Sequence, residues 1–89
     1  VGRVTVMKRN LDINNHVNNA QYVGIAGEVV PEGCEVCGIR AEYKRAAVLG
    51  DVIVIKCAER DGIYAVSLCG EDSGIYANVE FRTEKRVIL

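Results

Sequence analysis

The chain has 89 residues, room for one domain, and at this length folding hides only about 60% of the surface the unfolded form exposes, so a partner surface would help it. It is 49% hydrophobic and 26% charged, which excludes a disordered chain, and its longest apolar run, Val52-Ile53-Val54-Ile55, falls far short of the roughly 18 residues a membrane span needs. Eleven basic and 12 acidic residues leave a net charge of −1 and no positive field for a phosphate backbone, so neither nucleic acid nor membrane is expected as a partner.

The chain begins with Val1 and shows no signal-peptide pattern, which fits a trimmed or excised piece of a protein that is not exported. The first element expected is a strand over Val4-Thr5-Val6-Met7, rich in β-branched side chains and ending at Lys8-Arg9. The next stretch changes character. Asn10, Asp12, Asn14, Asn15, Asn18 and Asn19 make a turn-prone loop in which short polar side chains compete with the backbone for hydrogen bonds.

From Asn19 to about Val30, Tyr22, Val23, Ala26, Val29 and Val30 recur at helical spacing, with Asn18 or Asn19 as the cap and Pro31 and Gly33 as the stop. Gly24 and Gly27 weaken this helix by about 1 kcal/mol each relative to alanine, a loss that close packing on a sheet would explain. A strand over residues 34–45 follows, in which Cys37, Ile39, Ala41 and Tyr43 alternate with polar residues and form one buried face. Asp51 to Glu59 is a second strand of this group, apolar on both faces at its start and therefore interior. Arg60-Asp61-Gly62 turns into a strand from Ile63 to Gly70, and Glu71-Asp72-Ser73-Gly74 turns into another from Ile75 to Thr83. Strand, loop, one helix and four strands pack economically as an antiparallel sheet around the helix, an α+β fold.

Four cysteines include Cys34-Glu35-Val36-Cys37, the Cys-x-x-Cys spacing of zinc and redox sites. On a strand, positions three apart face opposite sides, and Cys57 and Cys69 stand singly in apolar strands. Buried, reduced, inert thiols are expected, with neither metal nor cofactor, and a reducing, cytoplasmic compartment fits them.

Asp12, Asn14 and His16 stand at alternate positions just before a helix start, so an extended loop would turn all three to one side. The backbone N–H groups at a helix start would polarise a carbonyl placed near Val17 and Asn18. His16, the only histidine, can exchange a proton near neutral pH as a general base for water. Asp12 could accept a proton or attack a carbonyl, and Asn14 could orient water or the imidazole. Acyl transfer to water is the chemistry open to this set; caps and turns are the alternative use of the same residues.

The string Leu11-Asp12-Ile13-Asn14-Asn15-His16-Val17-Asn18-Asn19, with Tyr22 three residues on, resembles the D-x-N-x-H-V-N-N-x-x-Y signature of the acyl-acyl-carrier-protein thioesterases. A shorter form of it resembles the broader acyl-CoA thioesterases, and a weaker likeness extends through Pro31 and Glu42-Tyr43-Lys44-Arg45. The resemblance implies a hot-dog fold, the C-terminal of two tandem domains in that family, and hydrolysis of fatty-acyl thioesters of carrier protein or CoA in fatty-acid biosynthesis. It puts Asp12, Asn14 and His16 on catalytic positions and Val17, Asn18 and Tyr22 on substrate-binding ones. Tyr22 also reads as a core aromatic, and Asn18 and Asn19 as caps.

Two departures accompany the likeness. The family usually follows its Tyr-basic-basic stretch with an acidic residue and often a cysteine, where this chain has Ala46-Ala47. Glu42 lies four residues from position 46, about 13 Å at strand rise, too far to substitute. The other departure is size: residues 1–89 make a single hot-dog domain, so either it is half of a tandem protein or identical chains pair as a homodimer. A non-catalytic acyl-binding or regulatory hot-dog domain and a hot-dog dehydratase are the alternative functions. The Lys8-Arg9 and Lys44-Arg45 pairs are candidates for the acidic face of a carrier protein or a CoA phosphate, or are simply solvated.

Overall fold

A computed structural model describes residues 2–85; Val1 and residues 86–89, counted in the expected single domain, lie outside the described residues. Five strands and one helix follow in the order β1 (Gly2–Thr5), α1 (Asn19–Gly27), β2 (Cys34–Tyr43), β3 (Val52–Arg60), β4 (Ile63–Cys69) and β5 (Ile75–Lys85), with a 3-10 turn over Lys8–Asn10. The strands form one antiparallel sheet ordered β1-β3-β4-β5-β2, and α1 lies against β4 and β5. This is the antiparallel sheet packed on one helix expected from the element order, and the hot-dog arrangement that the resemblance implies.

Local chemistry accounts for most boundaries. The β3–β4 hairpin turns on Asp61 and Gly62, both with positive φ (53° and 80°), as a two-residue turn between right-twisted strands requires. The core unites Ile53, Ile55, Val66, Leu68, Ala77, Val79 and Phe81 of the sheet with Tyr22 and Ala26 of the helix. Each such large apolar side chain contributes about 1.5–3 kcal/mol on burial. β3 is interior, as its apolar start predicts.

Several expectations are corrected. β1 ends at Thr5 rather than Met7, because β3 starts at its partner Val52 and the Met7 N–H turns to the Asn10 side chain at 2.9 Å. Helix α1 stops at Gly27 rather than Val30. The N–H groups of Glu28, Val29 and Val30 bond three residues back, to Ile25, Ala26 and Gly27, which tightens the chain ahead of Pro31. Nor does packing demand the helix glycines: a Cβ at Gly24 would meet nothing within 4 Å, and one at Gly27 would rest 3.7 Å from the Phe81 ring.

The expected buried face of β2 is largely open, with Ile39 56% and Tyr43 42% exposed. β2 is an edge strand, and α1 covers β4 and β5 instead. A bulge at Cys37 lets Val36 face Thr83 and Ile39 face Phe81, so Val36 and Ile39 share the helix side although three residues apart. The Cys37 thiol, exposed rather than buried, lies 3.3 Å from the Arg82 carbonyl. All four cysteines are free; Cys69 is buried and Cys34 and Cys57 are half-buried.

Candidate active site

The segment from Leu11 to Val17 is a closed turn, not the extended loop that alternate spacing suggested. Leu11 and Val17 form a lone antiparallel bridge, and inside it the Asp12 N–H donates to the His16 carbonyl at 2.9 Å. The Asp12 carboxylate closes the turn from within: Oδ1 accepts the Asn14 N–H at 2.8 Å and the His16 N–H at 3.3 Å. Asn15 supplies the left-handed residue, φ 60°, which asparagine tolerates better than most side chains. Asp12, Asn14 and His16 are thus gathered by turn closure, all three exposed. The Asp12 Oδ2 and the Asn14 and His16 side chains make no hydrogen bond among the described residues.

The turn feeds directly into α1. Asn18 is the cap: its Oδ1 accepts the Ala20 N–H at 2.8 Å and its carbonyl accepts the Gln21 N–H at 2.9 Å. The amides expected to face a carbonyl are engaged elsewhere, Val17 N–H with the Ala47 carbonyl at 3.0 Å and Asn18 N–H with the Asn10 carbonyl at 3.4 Å. At the helix start the Asn19 N–H is left without a partner among the described residues. Val17 itself is a core side chain, 4% exposed.

Tyr22, one turn into α1, is 2% exposed, and its hydroxyl accepts the Ala47 N–H at 2.8 Å. Burial pushes its pKa above the ordinary phenol value, against the opposing pull of the Ala47 N–H. Its ring stands 6.0 Å from that of Tyr43. Ala47 therefore touches the motif twice, at Val17 and at Tyr22, and Ala46 sits beside it. Ala46 helps to line an open cavity of about 370 Å³ with Arg45, Asp51, Asp72 and Tyr76. The position where the family carries an acidic residue is thus next to the motif in space, although nearly 30 residues away in sequence.

Glu42 does not fill that place. Tyr43 faces Tyr22, so by strand alternation Glu42 lies on the other side of the sheet, and there it pairs with Lys44 at 3.0 Å. That ion pair holds its carboxyl below the usual range. The Lys44-Arg45 pair is accordingly not a free basic patch, since Arg45 is bound to Asp72 at 2.9 Å. Lys8 and Arg9 remain exposed and without ion-pair partners among the described residues. The sequence marks Ala47 only as a place where the family often has a cysteine; its two contacts with the motif carried no signal, because they run through its backbone.

Residues 2–85 match the profile of the acyl-ACP thioesterase C-terminal domain. Among solved structures, the fold is similar to that of an acyl-ACP thioesterase from Bacteroides thetaiotaomicron VPI-5482, with a TM-score of 0.89 and 20% identity over 94% of this chain. The chain spans 37% of the length of that enzyme. It is also similar to the protein SAV2348 from Staphylococcus aureus in complex with CoA (TM-score 0.84, 23% identity, 93% of this chain and 72% of that one). A hypothetical thioesterase from Streptococcus pneumoniae TIGR4 with coenzyme A gives a TM-score of 0.79 at 16% identity, over 96% of this chain and 78% of that one. No curated protein sequence matches the chain. No helix among the described residues is long and apolar enough to cross a membrane.

Proposed function

This chain belongs to the family of acyl-ACP thioesterase C-terminal domains, and from that premise we propose that it hydrolyses fatty-acyl thioesters to the free acid and thiol. The observation that carries the reading is the closed turn that gathers Asp12, Asn14 and His16 at the exposed start of α1. His16 takes a proton from water as the water oxygen attacks the thioester carbonyl, and returns it to the departing thiolate. Asn14 orients the water, and the free Oδ2 of Asp12 supports the imidazolium. The Asn19 N–H, on a helix start capped by Asn18, faces the developing oxyanion. Val17 and Tyr22 form the wall behind it.

The acyl carrier is a carrier protein or CoA, met at the exposed Lys8 and Arg9, in a cytoplasmic pathway of fatty-acid biosynthesis. A second hot-dog domain completes the acyl pocket, either from an identical chain or from the remainder of a longer one. Edge strand β2 supports this pairing, since among the described residues no strand lies on its side away from β5, and that edge with the half-exposed Val36, Ile39 and Tyr43 suits another strand and its side chains.

Ala46 favours a second reading, an acyl-binding domain without turnover. The test is thiol release from acyl-carrier-protein and acyl-CoA thioesters over a series of chain lengths, for wild type, His16→Ala and Ala46→Glu. Turnover lost in His16→Ala, and raised by about 10²-fold in Ala46→Glu, is the expected result. Binding of acyl thioesters with no release above the His16→Ala background would leave only the binding reading.

A further inference from the structure

Arg45 occupies a seat that the chemistry above does not use. Its guanidinium lies over the Tyr76 ring, 4.5 Å from the centroid, and forks onto Asp72, Nη1 to Oδ2 at 3.2 Å and Nη2 to Oδ1 at 2.9 Å. Nη2 also donates to the Gly74 carbonyl at 3.4 Å. The floor is glycine on both sides. A Cβ on Gly70 would collide with Nη2, and one on Gly74 would stand 2.9 Å from Cζ.

Tyr76 ties this seat to the loop of residues 44–51. It sits at a β5 irregularity, where Leu68 faces Ala77 but Cys69 faces Ile75, and such bulges re-aim a side chain. Its carbonyl accepts the N–H groups of Lys44 at 2.8 Å and Arg45 at 3.3 Å, at the start of the loop. Its hydroxyl donates to Asp51 Oδ2 at 3.1 Å, at the end of the loop, and the same oxygen accepts the Val48 N–H at 3.0 Å. Midway between these ties is Ala47, the residue bound to Val17 and Tyr22. An exposed ion pair does little for stability, so a stacking ring and a forked carboxylate that hold one arginine, over glycines that leave it room, point to placement.

We propose that Arg45 is a positioning residue: its seat holds the loop of residues 44–51 where Ala47 pins Val17 and Tyr22, and thereby sets the helix start and the Asp12–His16 turn against the acyl group. The effect on turnover rests on the hydrolase reading, whereas the placement of Ala47 is measurable without it.

Gly70→Ala tests this by crowding the Arg45–Asp72–Tyr76 seat while Arg45 itself is kept, alongside Arg45→Ala and Arg45→Lys, which keeps the charge but neither forks nor stacks as arginine does. Amide exchange at Ala47 and Val17 should rise about tenfold in Gly70→Ala and Arg45→Ala, with the central strand β4 unchanged. kcat should fall about tenfold to a hundredfold with KM nearly constant, Arg45→Lys should not rescue it, and the double variant should be no worse than either single one. Asp72→Asn is the milder change if a seat variant does not fold. Unchanged exchange at Ala47 overturns the proposal, as does faster exchange with unaltered kcat. A wild type without turnover removes the hydrolase reading alone, and the exchange comparison then decides whether the seat places Ala47.

Discussion

The Tyr22 hydroxyl accepts the backbone N–H of Ala47 at 2.8 Å, in a part of the core where Tyr22 is 2% and Ala47 0% exposed. A phenol on the helix and a loop amide 25 residues away thus satisfy one another out of reach of water. Because the Ala47 carbonyl also accepts the Val17 N–H, this contact joins the motif to the loop that bears Ala46.

Tyr22→Phe keeps the ring but leaves the Ala47 N–H buried and unpaired, which should cost about 1–3 kcal/mol in urea unfolding. The pH dependence has a definite sign. Burial raises the Tyr22 pKa, so the unfolded chain ionises first; stability is intact below the ordinary phenol value of about 10 and is lost as pH rises from there through the higher folded value. The wild type should therefore lose its advantage over Tyr22→Phe in alkali. An equal advantage at every pH would refute this assignment.

Asp12→Asn and Asp12→Ala separate the turn from the chemistry. The asparagine Oδ1 still accepts the two N–H groups that Asp12 Oδ1 holds, so stability should change by no more than about 0.5 kcal/mol. Thiol release should nonetheless drop by about 10²-fold or more. Asp12→Ala should lose both the rate and the order of the turn, read as faster amide exchange at Asn14 and His16. Full activity in Asp12→Asn would remove the carboxylate from the mechanism.

Gly24→Ala should stabilise the domain by about 0.5–1 kcal/mol, because Gly24 is an exposed helix residue whose added Cβ meets nothing within 4 Å. A higher urea midpoint at unchanged slope is the expected signature. A lower midpoint would show that a side chain at position 24 is not free of contacts.

Ile39→Lys tests the edge strand. Ile39 is 56% exposed, so the substitution should leave the stability of the single chain almost unchanged while placing a charge on the open side of β2. Sedimentation should show wild-type pairs and single Ile39→Lys chains at the same concentration. Wild-type chains that sediment singly would mean that β2 does not pair with its own copy.

Much of this protein is written in short stretches of its sequence. The Asp61-Gly62 turn and the Asn18 cap depend on backbone angles and on hydrogen bonds a few residues apart, and such local terms are carried by the residues themselves. So is the motif from Asp12 to Tyr22, whose likeness to the acyl-ACP thioesterases is borne out by the family match over residues 2–85. Strand alternation, by contrast, states which side chains share a face but not what lies opposite them. Only the packing of α1 over β4 and β5 leaves Ile39 and Tyr43 half-exposed on the edge strand. Only the tertiary structure brings Ala46 and Ala47 beside Val17 and Tyr22, or turns Arg45 from a member of a basic pair into a stacked and forked anchor. Those contacts join residues 25 to 31 positions apart; Ala47 makes both of its own through backbone groups that every residue possesses, and Arg45 meets a ring and a carboxylate that only the pairing of the sheet brings to it.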